Sequence, residues 1–137
     1  MTTDLVLDAS ATLAWCFEDE HGADSDALLD RLATSAALVP GIWHVELANA
    51  LLAAERRRRI TAPEIDDFCR LIQSLTIETD DPRLPPAALM ALARAHRLTA
   101  YDATYLDLAL RRNLPLATRD AALARAAAAA GAALLAA

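Results

Sequence analysis

Apolar and polar positions alternate along this chain between two kinds of pattern. Short apolar runs at Leu5 to Leu7, Ala37 to Val39, Leu75 to Glu78, Leu116 to Thr118 and Ala132 to Leu135 read as buried strands. Between them the spacing turns helical. Ala9 to Phe17 follows the first strand and is broken by the acidic EDEHG of Glu18 to Gly22. Ala27, Leu28, Leu29 and Leu32 form one apolar stripe on a helix from Ala23 to Ser35, with Asp26 and Asp30 toward water. Pro40 and Gly41 end the second strand, and Val45, Ala48, Leu51 and Leu52 space a helix from Ile42 to Arg57. Thr61 and Glu64 stand at capping-box spacing around Pro63, opening a helix to about Ser74. After the DDP turn at Asp80 to Pro82, Pro86 starts a helix to Arg97, and another from Ala100 to Arg112 stops at Asn113. Asp120 opens an Ala-rich helix that ends at Gly131.

Strands alternating with helices or helix pairs predict right-handed crossovers. The fold class that follows is α/β: a three-layer α/β/α domain with a mainly parallel central sheet. At 137 residues the whole chain fits one domain with its own core. Although 55% of residues are hydrophobic, no run reaches the ~20 residues of a membrane span, and the N-terminus carries no export signal. The expectation is a cytoplasmic protein that does not enter a membrane. Cys16 and Cys69 are far apart and lack partners at metal-ligand spacing, so they are expected to be buried small hydrophobes. The net charge of -6 argues against a broad, nonspecific nucleic-acid binder.

Candidate chemistry lies in four acids. Asp8 stands where the first strand hands over to a helix, on the carboxyl edge where open α/β sheets bind ligands, but Asp is also a favoured N-cap there. Asp102 fits a capping-box variant with Thr99, its carboxylate reaching back, and Asp120 or Thr118 can cap the Ala-rich helix. Taken singly, each of these three is explained by a cap. Glu46 is not, because it lies about one turn inside its helix among Val45, Leu47, Ala48 and Ala50. A charged carboxylate on such a face needs a cation or a proton. The chain has no Lys, and Arg56 to Arg59 lie at the far end of that helix, so a metal is the better partner. All four acids can reach one sheet edge, and an all-oxygen donor set selects Mg2+ or Mn2+. Asp107 is read as a solvent-face residue paired with Arg111, Asp80 and Asp81 as turn chemistry, and Glu18 to Glu20 as a solvated loop. His21, His44 and His96 form no ligand spacing.

VLDAS at 6 to 10, HVELANAL at 44 to 51, AYDATYLDLA at 100 to 109 and LATRDAAL at 116 to 123 together resemble the PIN domain, in particular the VapC toxins of toxin-antitoxin pairs. Order and spacing match over essentially the whole chain. The resemblance implies an acidic quartet of Asp8, Glu46, Asp102 and Asp120 as catalytic and metal residues. Ser10 and Thr118 become hydroxyls supporting water on the metal, and Asn49 a residue behind Glu46. It further implies an endoribonuclease dependent on Mg2+ or Mn2+, with RNA as substrate, leaving a 5′-phosphate and a 3′-hydroxyl. The partners implied are a second copy in a homodimer and a cognate VapB-type antitoxin, received in an apolar groove. Arginines outside the site, Arg56 to Arg59 or Arg111 and Arg112, are candidates for flanking phosphates; for the first group a solvated helix end is an equal reading.

Three alternatives stand beside this reading. A phosphatase of the haloacid dehalogenase type wants an Asp two residues past its nucleophile and a downstream Lys; here Ser10 takes that place and Lys is absent. A Rossmann domain lacks its Gly-rich turn. The alternative from another class is a noncatalytic PIN-like module that binds a partner protein.

Overall fold

The computed structural model describes residues 1–81 and 84–137; Pro82, the last residue of the expected DDP turn, lies outside them. Among the described residues five strands form one sheet in the order β3-β2-β1-β4-β5, with every neighbouring pair parallel. The strands are β1 (Thr3–Leu7), β2 (Ala36–Pro40), β3 (Ile77–Asp80), β4 (Leu116–Ala117) and β5 (Leu134–Leu135). The helices are α1 (Ala9–Leu13), α2 (Ala23–Arg31), α3 (Ile42–Arg56), α4 (Ala62–Ser74), α5 (Pro86–His96), α6 (Ala100–Arg112) and α7 (Ala121–Ala130). The expected α/β class with a parallel core flanked by helices is therefore present.

β1 is central because both its edges are used: Val6 pairs with Leu38 on one side and Leu116 on the other. Strands buried on both faces must be apolar throughout, and Leu5, Val6 and Leu7 are fully buried. The chain builds outward from β1 through β2 to β3, then returns to β1's other edge with β4 and β5. The order reverses beside β1, so a crevice forms where β1 and β4 end. α6 packs over β1, β2 and β4, contributing Tyr105, Leu106 and Leu108 to the core. Among the described residues no helix is long and apolar enough to cross a membrane.

Local chemistry accounts for most helix ends. Thr61 and Glu64 make the reciprocal capping box. Asn113 and Gly131 stop α6 and α7 in the left-handed conformation. Several segments differ from the expectation: β5 is only Leu134–Leu135 rather than Ala132 to Leu135, and four others differ for a visible reason. α1 stops at Leu13 rather than Phe17; the chain tightens into i→i+3 turns, Trp15 Nε1 donates to the Ser25 carbonyl at 2.8 Å, and Phe17 drops into a second cluster with Ala54 and Ile60. α2 stops at Arg31, whose carbonyl accepts from Ser35 Oγ at 3.0 Å. β3 starts at Ile77, because Leu75 is still occupied as the C-cap of α4. Glu18–Glu20 form a 3-10 turn rather than a loose loop, held by Arg59, which contacts Asp19 at 2.9 Å and Glu20 at 2.7 Å and lies over the Phe17 ring. Cys16 is half-buried, but Cys69 is exposed on α4, so the expectation of two buried thiols fails for Cys69.

Candidate active site

The carboxyl end of β1 delivers Asp8 into a polar cage. Its side chain caps α1, Oδ1 accepting from the Ala11 N–H at 2.8 Å, and the Ser10 hydroxyl reaches the same carboxylate at 2.8 and 2.9 Å. Thr118, arriving from the end of β4, donates its hydroxyl to Oδ2. The Arg119 N–H then donates to Ser10 Oγ at 2.9 Å and the Asp120 N–H to Thr118 Oγ1 at 3.0 Å, closing the two strand ends over the carboxylate. Asp8 is 4% exposed. Burial pushes its carboxyl up to about 6; the hydrogen bonds from Thr118, Ala11 and Ser10 oppose this, and the charge of Asp102 adds to it.

Asp120 caps α7, accepting from the Leu123 N–H at 2.9 Å. Thr99 caps α6, accepting from the Asp102 N–H at 3.1 Å. Among the described residues the return bond from the Asp102 carboxylate to the Thr99 backbone is not made, so the expected box is half formed. Glu46 is half-buried on α3, in the second turn after the end of β2. All four acids thus stand at the carboxyl edge, where β1, β2 and β4 end and α6 begins.

Their charges reach one another. Glu46 and Asp102 are both raised, burial first in each case, with Asp102 acting on Glu46 and Asp120 on Asp102. Mutual repulsion among half-buried carboxylates is the condition a divalent cation relieves. The donor chemistry fits a hard ion, being oxygen throughout. Among the described residues no three acid, imidazole or thiol side chains form a ready cage, so the fit rests on charge and donor type.

The reading of Glu46 as unpartnered needs correction. The Tyr105 hydroxyl donates to Glu46 Oε1 at 2.6 Å, a neutral partner that sequence reasoning missed. The available signal was spacing, since Tyr105 lies three residues after Asp102 and so on the same face of α6. A second missed tie is buried: Trp43 Nε1 donates to Thr12 Oγ1 at 3.1 Å, and Thr12 Oγ1 donates to the Asp8 carbonyl at 2.7 Å. Asn49 is exposed and makes no hydrogen bond among the described residues.

The acids set aside are more structural than expected. Asp107 pairs with Arg111 at 2.8 Å as expected, but its side chain is only 14% exposed, not on the solvent face. Asp80 ends β3 instead of lying in a turn; its side chain is 8% exposed and meets Arg112 at 2.7 Å. Arg59, Arg111 and Arg112 are therefore engaged in ion pairs, while Arg56 stands exposed about 15 Å along α3 from Glu46, with Arg57 and Arg58 exposed just past the helix end.

An all-parallel sheet with a caged, buried acid where its strand order reverses defines an α/β protein with an acidic site at its strand ends. The profile of the PIN domain matches residues 5–129, and the chain belongs to that family. Among solved structures, the crystal structure of PAE2754 from Pyrobaculum aerophilum is similar, at 25% identity over 92% of this chain and 87% of that one, with a TM-score of 0.68. Among curated proteins none matches. PIN domains are generally nucleases that require a divalent metal, which sets hydrolysis of nucleic acid as the class of activity for this site.

Proposed function

We propose that this chain is an endoribonuclease dependent on Mg2+ or Mn2+, acting as the toxin of a VapBC-type pair. Asp8, Glu46, Asp102 and Asp120 would hold the metal. The observation that carries this reading is their shared edge, with Asp102 linked by charge to each of the other three. A bound divalent cation supplies Lewis-acid activation of water and stabilises the leaving oxygen of a phosphodiester. The chain's own contribution is order: Ser10, Thr118 and the Ala11 N–H fix both oxygens of Asp8, and the caps on α6 and α7 fix the backbones carrying Asp102 and Asp120. Neutralising the site also lets an acidic protein receive an anionic backbone, with the exposed Arg56 to Arg58 available for flanking phosphates.

A groove of about 470 Å³ between the start of α3 and helices α5 and α6 supports the partner half of the proposal. Ile42, Val45, Leu89 and Leu108 make it apolar, and Val45 is 69% exposed. A VapB-type antitoxin segment is its proposed occupant, on a toxin that acts as a homodimer.

The competing reading is a noncatalytic binding module, favoured by the lack of a ready carboxylate cage among the described residues. Incubation of the purified protein with single-stranded RNA decides. Cleavage in Mg2+ or Mn2+ that EDTA abolishes is expected; no cleavage with either ion leaves the binding module.

A further inference from the structure

We infer that Tyr105 is a positioning residue for the metal, selecting which oxygen of Glu46 faces the cation; this rests on the metal-dependent reading above. Its ring is 1% exposed within the main core, so the phenol has no freedom to swing away. The hydroxyl at the ring's end meets Glu46 Oε1 at 2.6 Å, short enough to be a charge-assisted bond. Glu46 Oε2 has no hydrogen bond among the described residues, and no buried side-chain oxygen among them is left unpartnered, so Oε2 opens to solvent. One oxygen of Glu46 is therefore committed to the protein and the other is presented to the edge. α6 carries both Asp102 and the donor to Glu46, one turn apart on one face, so a single rigid helix sets two of the four carboxylates.

A phenol is suited to this task because it donates one hydrogen bond without adding a charge that would compete with the cation. Arg or Lys in its place would neutralise Glu46 and weaken its hold on a metal. Carboxylate ligands are oriented in this way by outer partners, whose loss costs about 10- to 100-fold in metal affinity.

Tyr105→Phe removes the hydroxyl and keeps the ring. The test is calorimetric titration of Mn2+ into parent, Tyr105→Phe, Glu46→Gln and the double variant, without RNA. Tyr105→Phe is expected to weaken Mn2+ binding about 10- to 100-fold, and to add no further loss to Glu46→Gln, because the phenol acts through that carboxylate. Equal Mn2+ affinity in parent and Tyr105→Phe overturns the inference alone; a parent that binds no Mn2+ overturns the metal reading with it. A losing but additive double variant also overturns it, since the effect would then bypass Glu46. Should Tyr105→Phe fail to fold, Tyr101→Phe protein labelled with 3-fluorotyrosine carries its only fluorine at position 105, the chain having two tyrosines. Mg2+ is expected to move that resonance, and an unmoved resonance in protein that binds Mg2+ overturns the inference.

Discussion

At the scale of single residues, Asp8 does two jobs that amide substitution separates. Asn caps a helix about as well as Asp but carries no charge for a metal. Asp8→Asn is therefore expected to fold and to lose divalent-dependent RNA cleavage; parental cleavage would leave Asp8 as a cap alone. The same variant has a second signature in EDTA. The Asp8 carboxyl is raised from 3.8 to about 6 in the fold, so between those values the folded state holds a proton that the unfolded chain releases. Its stabilising effect is full below about pH 4 and is lost as pH rises through 6, roughly 3 kcal/mol in all. The metal-free parent should therefore lose melting temperature from pH 4 to pH 7 more steeply than Asp8→Asn, and should be no more stable than the variant at pH 7. Parallel pH profiles would show that Asp8 is not titrating in this range.

At the scale of elements, the helix starts were readable because caps are local chemistry: Thr61 with Glu64, Thr99 before α6 and Asp120 before α7 all act within three residues. The left-handed stops at Asn113 and Gly131 were readable for the same reason. The shared edge of the four acids followed from strand-helix order. What escaped was decided between elements distant in sequence. Tyr105 meets Glu46 across 59 positions, Arg112 meets Asp80 across 32, and Trp43 meets Thr12 across 31. Spacing along α6 puts Tyr105 on the face of Asp102, but nothing along the chain pairs it with Glu46 or pairs Arg112 with Asp80, so Glu46 read as unpaired and Asp80 as a turn residue. The Trp43-Thr12 tie also gives a prediction, because it fastens α3 to the turn that carries Asp8. Thr12→Val keeps the shape but strips a buried donor from the Asp8 carbonyl and an acceptor from the Trp43 indole. A loss of about 1 to 3 kcal/mol in unfolding free energy is expected by urea denaturation. A change under 0.5 kcal/mol would mean that both groups find other partners.

At the scale of the whole molecule, the acidic edge and the apolar groove share α3. Glu46 meets Tyr105 of α6, and its neighbour Val45, about 100° around the helix, lines the groove with Thr104 and Leu108 of the same α6. A segment lying in the groove would thus rest beside the site without replacing any of its carboxylates, an arrangement suited to an inhibitor whose removal restores activity. Val45→Glu tests whether the groove receives the proposed antitoxin. Val45 is mostly exposed, so the substitution should leave folding and RNA cleavage near parental. It sets a carboxylate against an apolar partner surface, in a groove whose lining already holds Asp80, Asp81 and Asp107 and whose Arg111 is engaged by Asp107, and an unpaired charge buried on binding costs several kcal/mol. A VapB-type small protein, sought in a reading frame beside this gene and co-expressed with the parent, is expected to copurify with it and silence its cleavage. The variant is expected to escape at least about tenfold in inhibitor affinity, since 1.4 kcal/mol suffices for that factor. Equal inhibition of parent and variant would place the inhibitor elsewhere, and no copurification with the parent would count against the toxin assignment while leaving the nuclease site to stand on its own test.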